Sequence, residues 1–400
     1  MAKQIDFDEI IDRRGTDCLK YDFALRRGKP KDVLPLWVAD MDFKTADEVI
    51  DAIKHRAEHG IFGYTESGDS YFEAASSWME KRHDWKTKRK WLVKTPGVVF
   101  ALAMAVKAFT KEGDAVLIQQ PVYYPFSEVI EDNKRIVISN DLYLCDSDNK
   151  YHIDFEDFER KISQNNIHLF LLCSPHNPVS RVWTRDELTR IGDICREHGV
   201  IVVADEIHED FVFGDRHHTV FASINDSFRD ISITCTSPAK TLNLAGLQIS
   251  NIFIPNAELR HLFKKEIAAA GYSQLGTLGI TACEAAYRNA DAWYEQILKY
   301  LEDNISFVRA FLEKELPELT MIEPEGTYLI WIDFRKLGIS EDELEDLIVN
   351  KAKLWLDSGA VFGKTGEGFE RINIACPRST LNRALCQLKE ALSQRISLSY

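Results

Sequence analysis

Three short apolar runs constrain this chain more than anything else in it. They are Ile167-His168-Leu169-Phe170-Leu171-Leu172-Cys173, Gly199-Val200-Ile201-Val202-Val203-Ala204 and Ile231-Ser232-Ile233-Thr234-Cys235-Thr236. Runs of this length, rich in β-branched residues and nearly continuous in their hydrophobicity, read as strands of a buried sheet. Between the first two, Thr184-Arg185-Asp186-Glu187 spells a capping box that opens a helix ending at Gly199. Strands alternating with helices build a mostly parallel sheet, and such sheets take their ligands beyond the carboxyl ends of the strands. Each run ends in polar chemistry. Asn177 follows the first within Ser174-Pro175-His176-Asn177-Pro178, and Asp205 follows the second within Asp205-Glu206-Ile207-His208. Lys240 follows the third within Ser237-Pro238-Ala239-Lys240-Thr241-Leu242-Asn243-Leu244-Ala245-Gly246-Leu247. Most lysines stay in water. One held among small and apolar residues gives up its proton more readily, which is what condensation with a carbonyl requires. A solvated lysine at a strand end is the plainer alternative, and Lys240 alone does not separate the two.

Other segments add to the pattern. Trp91-Leu92-Val93-Lys94-Thr95-Pro96-Gly97 reads as a strand and turn leading into an apolar helix. The main-chain N–H groups of Gly97, Val98 and Val99 at such a helix start suit a phosphate, although an ordinary strand-to-helix turn has the same sequence. Ala115-Val116-Leu117-Ile118 is a further strand, and Tyr123 just beyond it can stack on a planar ring, with Tyr124 as the neighbouring alternative. Arg135-Ile136-Val137-Ile138-Ser139 and Glu325–Asp333 read as strands, and residues 257–316 as long amphipathic helices.

The ordered set Asn177, Asp205 and Lys240 resembles the fold-type I enzymes that use pyridoxal 5'-phosphate (PLP), the aspartate aminotransferase superfamily. Trp37-Val38-Ala39-Asp40-Met41-Asp42-Phe43 is similar to a signature of one branch, the cystathionine β-lyase-like carbon–sulfur lyases. The resemblance covers nearly the whole chain. It implies an α/β fold: a large domain with a mostly parallel seven-stranded sheet flanked by helices, and a smaller α+β domain. The expected division is residues 1–50 joining the small domain, 51–288 the large PLP-binding domain, and 289–400 the small C-terminal domain.

The same resemblance implies residue roles. Lys240 would hold PLP covalently and move the substrate's Cα proton. Asp205 would face the pyridine nitrogen, Asn177 the phenolic oxygen, and Tyr123 the ring. His208 falls where many relatives carry a tyrosine on that oxygen. Gly97, Val98, Val99 and Ser237 would hold the phosphate, joined by Tyr64 of Phe62-Gly63-Tyr64-Thr65 reaching across a homodimer. Arg371, in the Arg-x-Asn string ending at Asn373, would clamp the substrate carboxylate, with Arg378 a lesser candidate. Asp40 and Met41 would line the substrate side. Lys240, Tyr64 or Tyr123 would protonate the leaving sulfur. Two positions depart from the superfamily pattern. Ser180 stands where glycine is common after Asn177-Pro178, and Gln248 stands where many aminotransferases have a phosphate-binding arginine. The second departure favours the lyase branch over transamination.

The expected reaction is therefore β-elimination on L-cystathionine or related S-substituted L-cysteines, giving thiol, pyruvate and ammonia. The alternatives are an aminotransferase of the same fold and a PLP-binding regulatory protein. A net charge of −14 over 400 residues argues against nucleic acid or an anionic membrane surface as partner. Eight cysteines without a Cys-x-x-Cys pair, and a start without an apolar leader, suggest reduced thiols in the cytoplasm. Gly359–Thr365 is one residue short of a P-loop. His217 and His218 read as surface residues, and no metal motif emerges.

Overall fold

The computed structural model describes residues 4–398. Its centre is a seven-stranded sheet built from β1 (Leu92–Thr95), β2 (Ala115–Ile118), β3 (Ile136–Ser139), β4 (Leu169–Cys173), β5 (Ile201–Asp205), β6 (Ser232–Thr236) and β7 (Ser250–Phe253). The spatial order is β1-β7-β6-β5-β4-β2-β3. Only β7 runs against the others, being antiparallel to both β6 and β1. This is the mostly parallel α/β sheet expected from the apolar runs.

Alternation along the strands explains why both faces are covered. Leu169, Leu171, Val203, Ile233 and Ile252 pack on one face with the apolar side of α3 (Val98–Phe109). Phe170, Leu172, Val202 and Ala204 point the other way. They meet Leu188, Ile191 and Cys195 of α4 (Arg185–Glu197), whose N-terminus is closed by the capping box of Thr184 and Glu187. A strand buried on both faces needs an unbroken apolar sequence, which β4 and β5 supply.

A second sheet of four strands, in the order β8-β9-β11-β10, is formed by β8 (Thr320–Met321), β9 (Leu329–Asp333), β10 (Asp357–Ser358) and β11 (Phe369–Asn373). Strand β9 begins at Leu329, so residues 325–328 are loop rather than the strand expected from their composition. The remaining helices that bear on the site are α1 (Asp47–Glu58), α2 (Asp69–His83), α5 (Pro238–Thr241), α6 (Thr277–Asn289), α7 (Asp291–Glu315) and α8 (Arg378–Leu398). Helix α7 has 25 residues, about 37 Å of rise, and ties the two sheets together. Near its start Tyr294 donates to Asp210 O beyond β5 (2.6 Å), and further along Asn304 donates to Ile374 O beyond β11 (2.9 Å).

The N-terminal segment is locked into this assembly. Leu34–Pro35 pairs in parallel with Leu354–Trp355, and Trp37 stacks on Trp355 at 4.4 Å. Residues 36–43 then run as a loop over the carboxyl edge of the large sheet. One apolar cluster contains Trp37, Met41 and Phe43 together with Trp78, Tyr294, Ile330, Ile372 and Leu385. Among the described residues no helix is long and apolar enough to cross a membrane.

Candidate active site

The carboxyl ends of β1, β2, β4, β5 and β6 open onto one pocket of about 190 Å³. Its walls include Lys240, Asp205, Asn177, His208, Tyr123, Ser237, Gly97, Val98 and Val99, together with Ala39, Ile207 and Gln248. Nine residues expected from five separate stretches of sequence thus meet in one place.

Local structure fixes each of them. Ser237 caps α5, its Oγ accepting from Ala239 N at 3.0 Å and donating to Ile249 O at 2.6 Å. That cap places Lys240 in the first turn after β6, with Nζ donating to Ala39 O at 2.8 Å. Burial lowers the Lys240 pKa to about 8; Arg371 pushes the same way, while Asp40 and Asp205 oppose it. Asp205 sits at the end of β5 and accepts from Ile207 N at 3.2 Å. Burial raises its pKa to about 7 against the opposing pulls of that hydrogen bond and of Lys240. His208 is held neutral by burial and by the cations Lys240 and Arg371, and its Nδ1 is buried without a partner. Burial likewise raises the Tyr123 hydroxyl, so it is a proton donor at neutral pH.

Arg371 is 2 % exposed. It donates to Asn177 Oδ1 at 3.0 Å and to Trp37 O at 2.9 Å, and pairs with Asp357. Its Nε is buried without a partner. Asp40 pairs with Arg13 through Oδ2, while its Oδ1 is buried and unpartnered. Ser180 adopts a φ of +57°, the conformation for which glycine is usual. The serine is retained with its Oγ donating to Leu329 O at 2.7 Å, which ties the turn after β4 to the start of β9. Gln248 also takes a positive φ of +48° and lines the pocket.

Four expectations are corrected or left apart. Met41 does not line the pocket; it is 1 % exposed and packed in the apolar cluster. The loop instead presents the Ala39 carbonyl, which also accepts from Tyr328 Oη at 2.9 Å. His218 is not a surface residue: its side chain is 2 % exposed and 3.1 Å from Glu206. Tyr64 is 99 % exposed and outside the pocket of its own chain. Arg378 is remote from the pocket, donating to Asn304 Oδ1 at 2.7 Å.

Two asparagines escaped the sequence reading of roles. Asn243 accepts from Met41 N and donates to Met41 O and Phe43 O. Asn373 donates to Val38 O and Asp40 O. Both clamp residues 38–43 by their main chain, which carries no side-chain signature in that loop. Their only signal was proximity, three residues after Lys240 and two after Arg371.

A buried lysine with a lowered pKa, a buried carboxylate and a helix start at one strand edge are groups that suit a carbonyl-bearing, anionic cofactor. The model for aminotransferases of class I and II matches residues 31–388, and the chain belongs to that family. Among its relatives is the cystathionine beta-lyase PatB of Bacillus subtilis, 44% identical over 97% of this chain and 100% of that protein. The protein MalY of Escherichia coli is 32% identical over 97% of this chain and 98% of its own. Among solved structures, cystalysin from Treponema denticola, which contains pyridoxal 5'-phosphate, superposes with a TM-score of 0.94 at 39% identity, covering 98% and 100% of the two chains.

Proposed function

We propose that the chain is a PLP-dependent carbon–sulfur lyase, a cystathionine β-lyase or cysteine-S-conjugate β-lyase. Its substrates are L-cystathionine or related S-substituted L-cysteines, and its products are thiol, pyruvate and ammonia. The observation that carries this is Lys240, with its lowered pKa, sharing one pocket with Asp205, Asn177 and the start of α3. The partnerless Nδ1 of His208 and Nε of Arg371 fit a ligand with acceptor atoms.

Asp205 would hold the pyridine nitrogen, Asn177 and His208 the phenolic oxygen, and Tyr123 the ring face. Gly97, Val98, Val99 and Ser237 would hold the phosphate. When bound there, PLP supplies an electron sink for the pair left at the substrate Cα. Arg371, already oriented by Asn177 and Asp357, fixes the substrate carboxylate. Lys240 Nζ, neutral for part of the time near pH 8, takes the Cα proton. As the Cβ–S bond breaks, the sulfur leaves with a proton delivered by Lys240 or by a tyrosine hydroxyl. Hydrolysis of the remaining fragment consumes one water and gives pyruvate and ammonia.

A homodimer completes the site in this reading. Tyr64, exposed beside exposed Ile61 and Phe62, would reach the phosphate of the partner copy. The division at residues 50 and 288 into small, large and small domains, and a cytoplasmic location, belong to the same proposal. The test is a pyruvate assay on purified protein with L-cystathionine and no keto acid. Pyruvate and free thiol, lost in Lys240→Ala together with the visible absorption band, support the lyase. Amino-group exchange with a keto acid and no pyruvate would make the chain an aminotransferase.

A further inference from the structure

On the far side of the turn that carries Asp205 and His208, five ionisable side chains from three separate stretches meet in the interior. His83, the last residue of α2, places Nε2 at 2.9 Å from Asp210 Oδ1 and 3.9 Å from Glu209 Oε2. His218 Nε2 lies 3.1 Å from Glu206 Oε2. The two imidazoles stand edge to face with ring centroids 5.6 Å apart. None of the five side chains is more than 4% exposed, and none lines the cofactor pocket.

The donor atoms form two groups that share Glu209. One atom each from His83, Glu209 and Asp210 lies within 4.8 Å of the others, and so does one each from Glu206, Glu209 and His218. The carboxylates differ in how they are satisfied. Asp210 accepts from Trp78 Nε1 at 3.0 Å and from Thr241 Oγ1 at 2.5 Å, and Glu206 accepts from Phe221 N at 2.9 Å. Glu209 is 3 % exposed, yet its Oε2 has no hydrogen-bond partner. A buried carboxylate oxygen facing two other carboxylates with no donor is costly unless a cation or a proton neutralises it.

We infer that this cluster is a divalent metal site, with one atom each from Glu206, Glu209 and His218 as ligands and with His83 and Asp210 beside Glu209. Imidazole with carboxylate suits Zn²⁺, Mn²⁺ or Fe²⁺, and three such ligands leave a Zn²⁺ site its fourth position for water. Ligand bonds of 2.0–2.1 Å set tetrahedral edges of about 3.3 Å. The 3.1 Å between His218 Nε2 and Glu206 Oε2 is close to that value. The ion would pin the loop around His218 to the turn that follows β5. The sequence hid this site because Glu206, Glu209 and His218 match no local metal-binding motif.

The test uses tag-free, full-length holoprotein incubated with Zn²⁺ and then dialysed. Elemental analysis should find about one equivalent per chain. Glu209→Gln should lose it while keeping its circular dichroism and cooperative unfolding. His152→Ala, which breaks the surface group of Cys145, Asp148 and His152, should retain it. X-ray absorption at the zinc edge of the wild type should show nitrogen and oxygen neighbours and no sulfur, a readout that survives if Glu209→Gln misfolds. Retention of less than roughly one tenth of an equivalent of Zn²⁺, Mn²⁺ or Fe²⁺ would overturn the site and leave a proton-shared network in its place. Equal retention in Glu209→Gln, loss in His152→Ala, or a sulfur neighbour would overturn it as well.

Discussion

Lys240 and Asp205 show how burial sets charge at this pocket. Their pKa values, near 8 and near 7, are both displaced toward the neutral form by desolvation. For Asp205 the sign of the consequence is fixed. Between about pH 4 and pH 7 the folded protein holds a proton that the unfolded chain has released, so stability falls as pH rises through that window. In PLP-free protein, denaturant titrations of wild type against Asp205→Asn should therefore diverge across pH 4–7, with the variant gaining relative stability by a few kcal/mol at most. A parallel pair of curves would mean that Asp205 is more solvated than its position implies. Arg371 is set by geometry instead. Its guanidinium spans Asn177, Trp37 O and Asp357, a fork that an ammonium cannot reproduce. Arg371→Lys should raise KM for L-cystathionine by about 10- to 100-fold, the cost of one charge-assisted hydrogen bond, while the Lys240-dependent absorption band persists. Unchanged KM would remove Arg371 from substrate binding.

The elements differ in how openly the sequence announced them. Strands β4, β5 and β6 were legible because full burial demands unbroken apolar runs, and α4 because its capping box is local chemistry. The connections were not. Residues 36–43 hold their course through Asn243 and Asn373, whose hydrogen bonds go to main-chain atoms some 200 and 335 positions away in sequence. The segment 325–328 reads as strand by composition but turns instead. Glu325 N and Gly326 N both donate to Ser180 O, and Thr327 takes a φ of +63°. Gly326 is required there by contact rather than by backbone angle. A Cβ at this position would come within 2.8 Å of both Phe211 O and Val182 Cγ2. Gly326→Ala should destabilise the fold by about 1–3 kcal/mol in urea titrations. No change in the midpoint would show that the turn relaxes without cost.

In the proposed homodimer, assembly decides whether the pocket is complete. In one chain Tyr64 points into solvent, and a phosphate at the start of α3 would lack its hydroxyl. If the partner copy supplies it, Lys240→Ala and Tyr64→Ala should complement. Each is inactive alone, but unfolding and refolding a 1:1 mixture should restore about one quarter of wild-type activity, since half the dimers then carry one intact site of two. No recovery beyond the two parents, with mixed dimers demonstrated by mass, would place Tyr64 outside the partner's site. The net charge of −14 sets no obstacle to such pairing, because the exposed patch around Ile61, Phe62 and Tyr64 is apolar.

From residues alone came the mostly parallel sheet and the strand-end set of Asn177, Asp205 and Lys240, while the family resemblance added Tyr123 and the helix start at Gly97. Those features rest on periodicity, on capping and on the rule that side chains past strand ends share one edge, all of which act over short stretches. Folding alone revealed that Met41 belongs to the core, that Ala39 meets Lys240 through its carbonyl, and that His83 and His218 enclose Glu209 in the interior. Such contacts join positions far apart in the chain, and a sequence carries no distance between them until packing brings their atoms together.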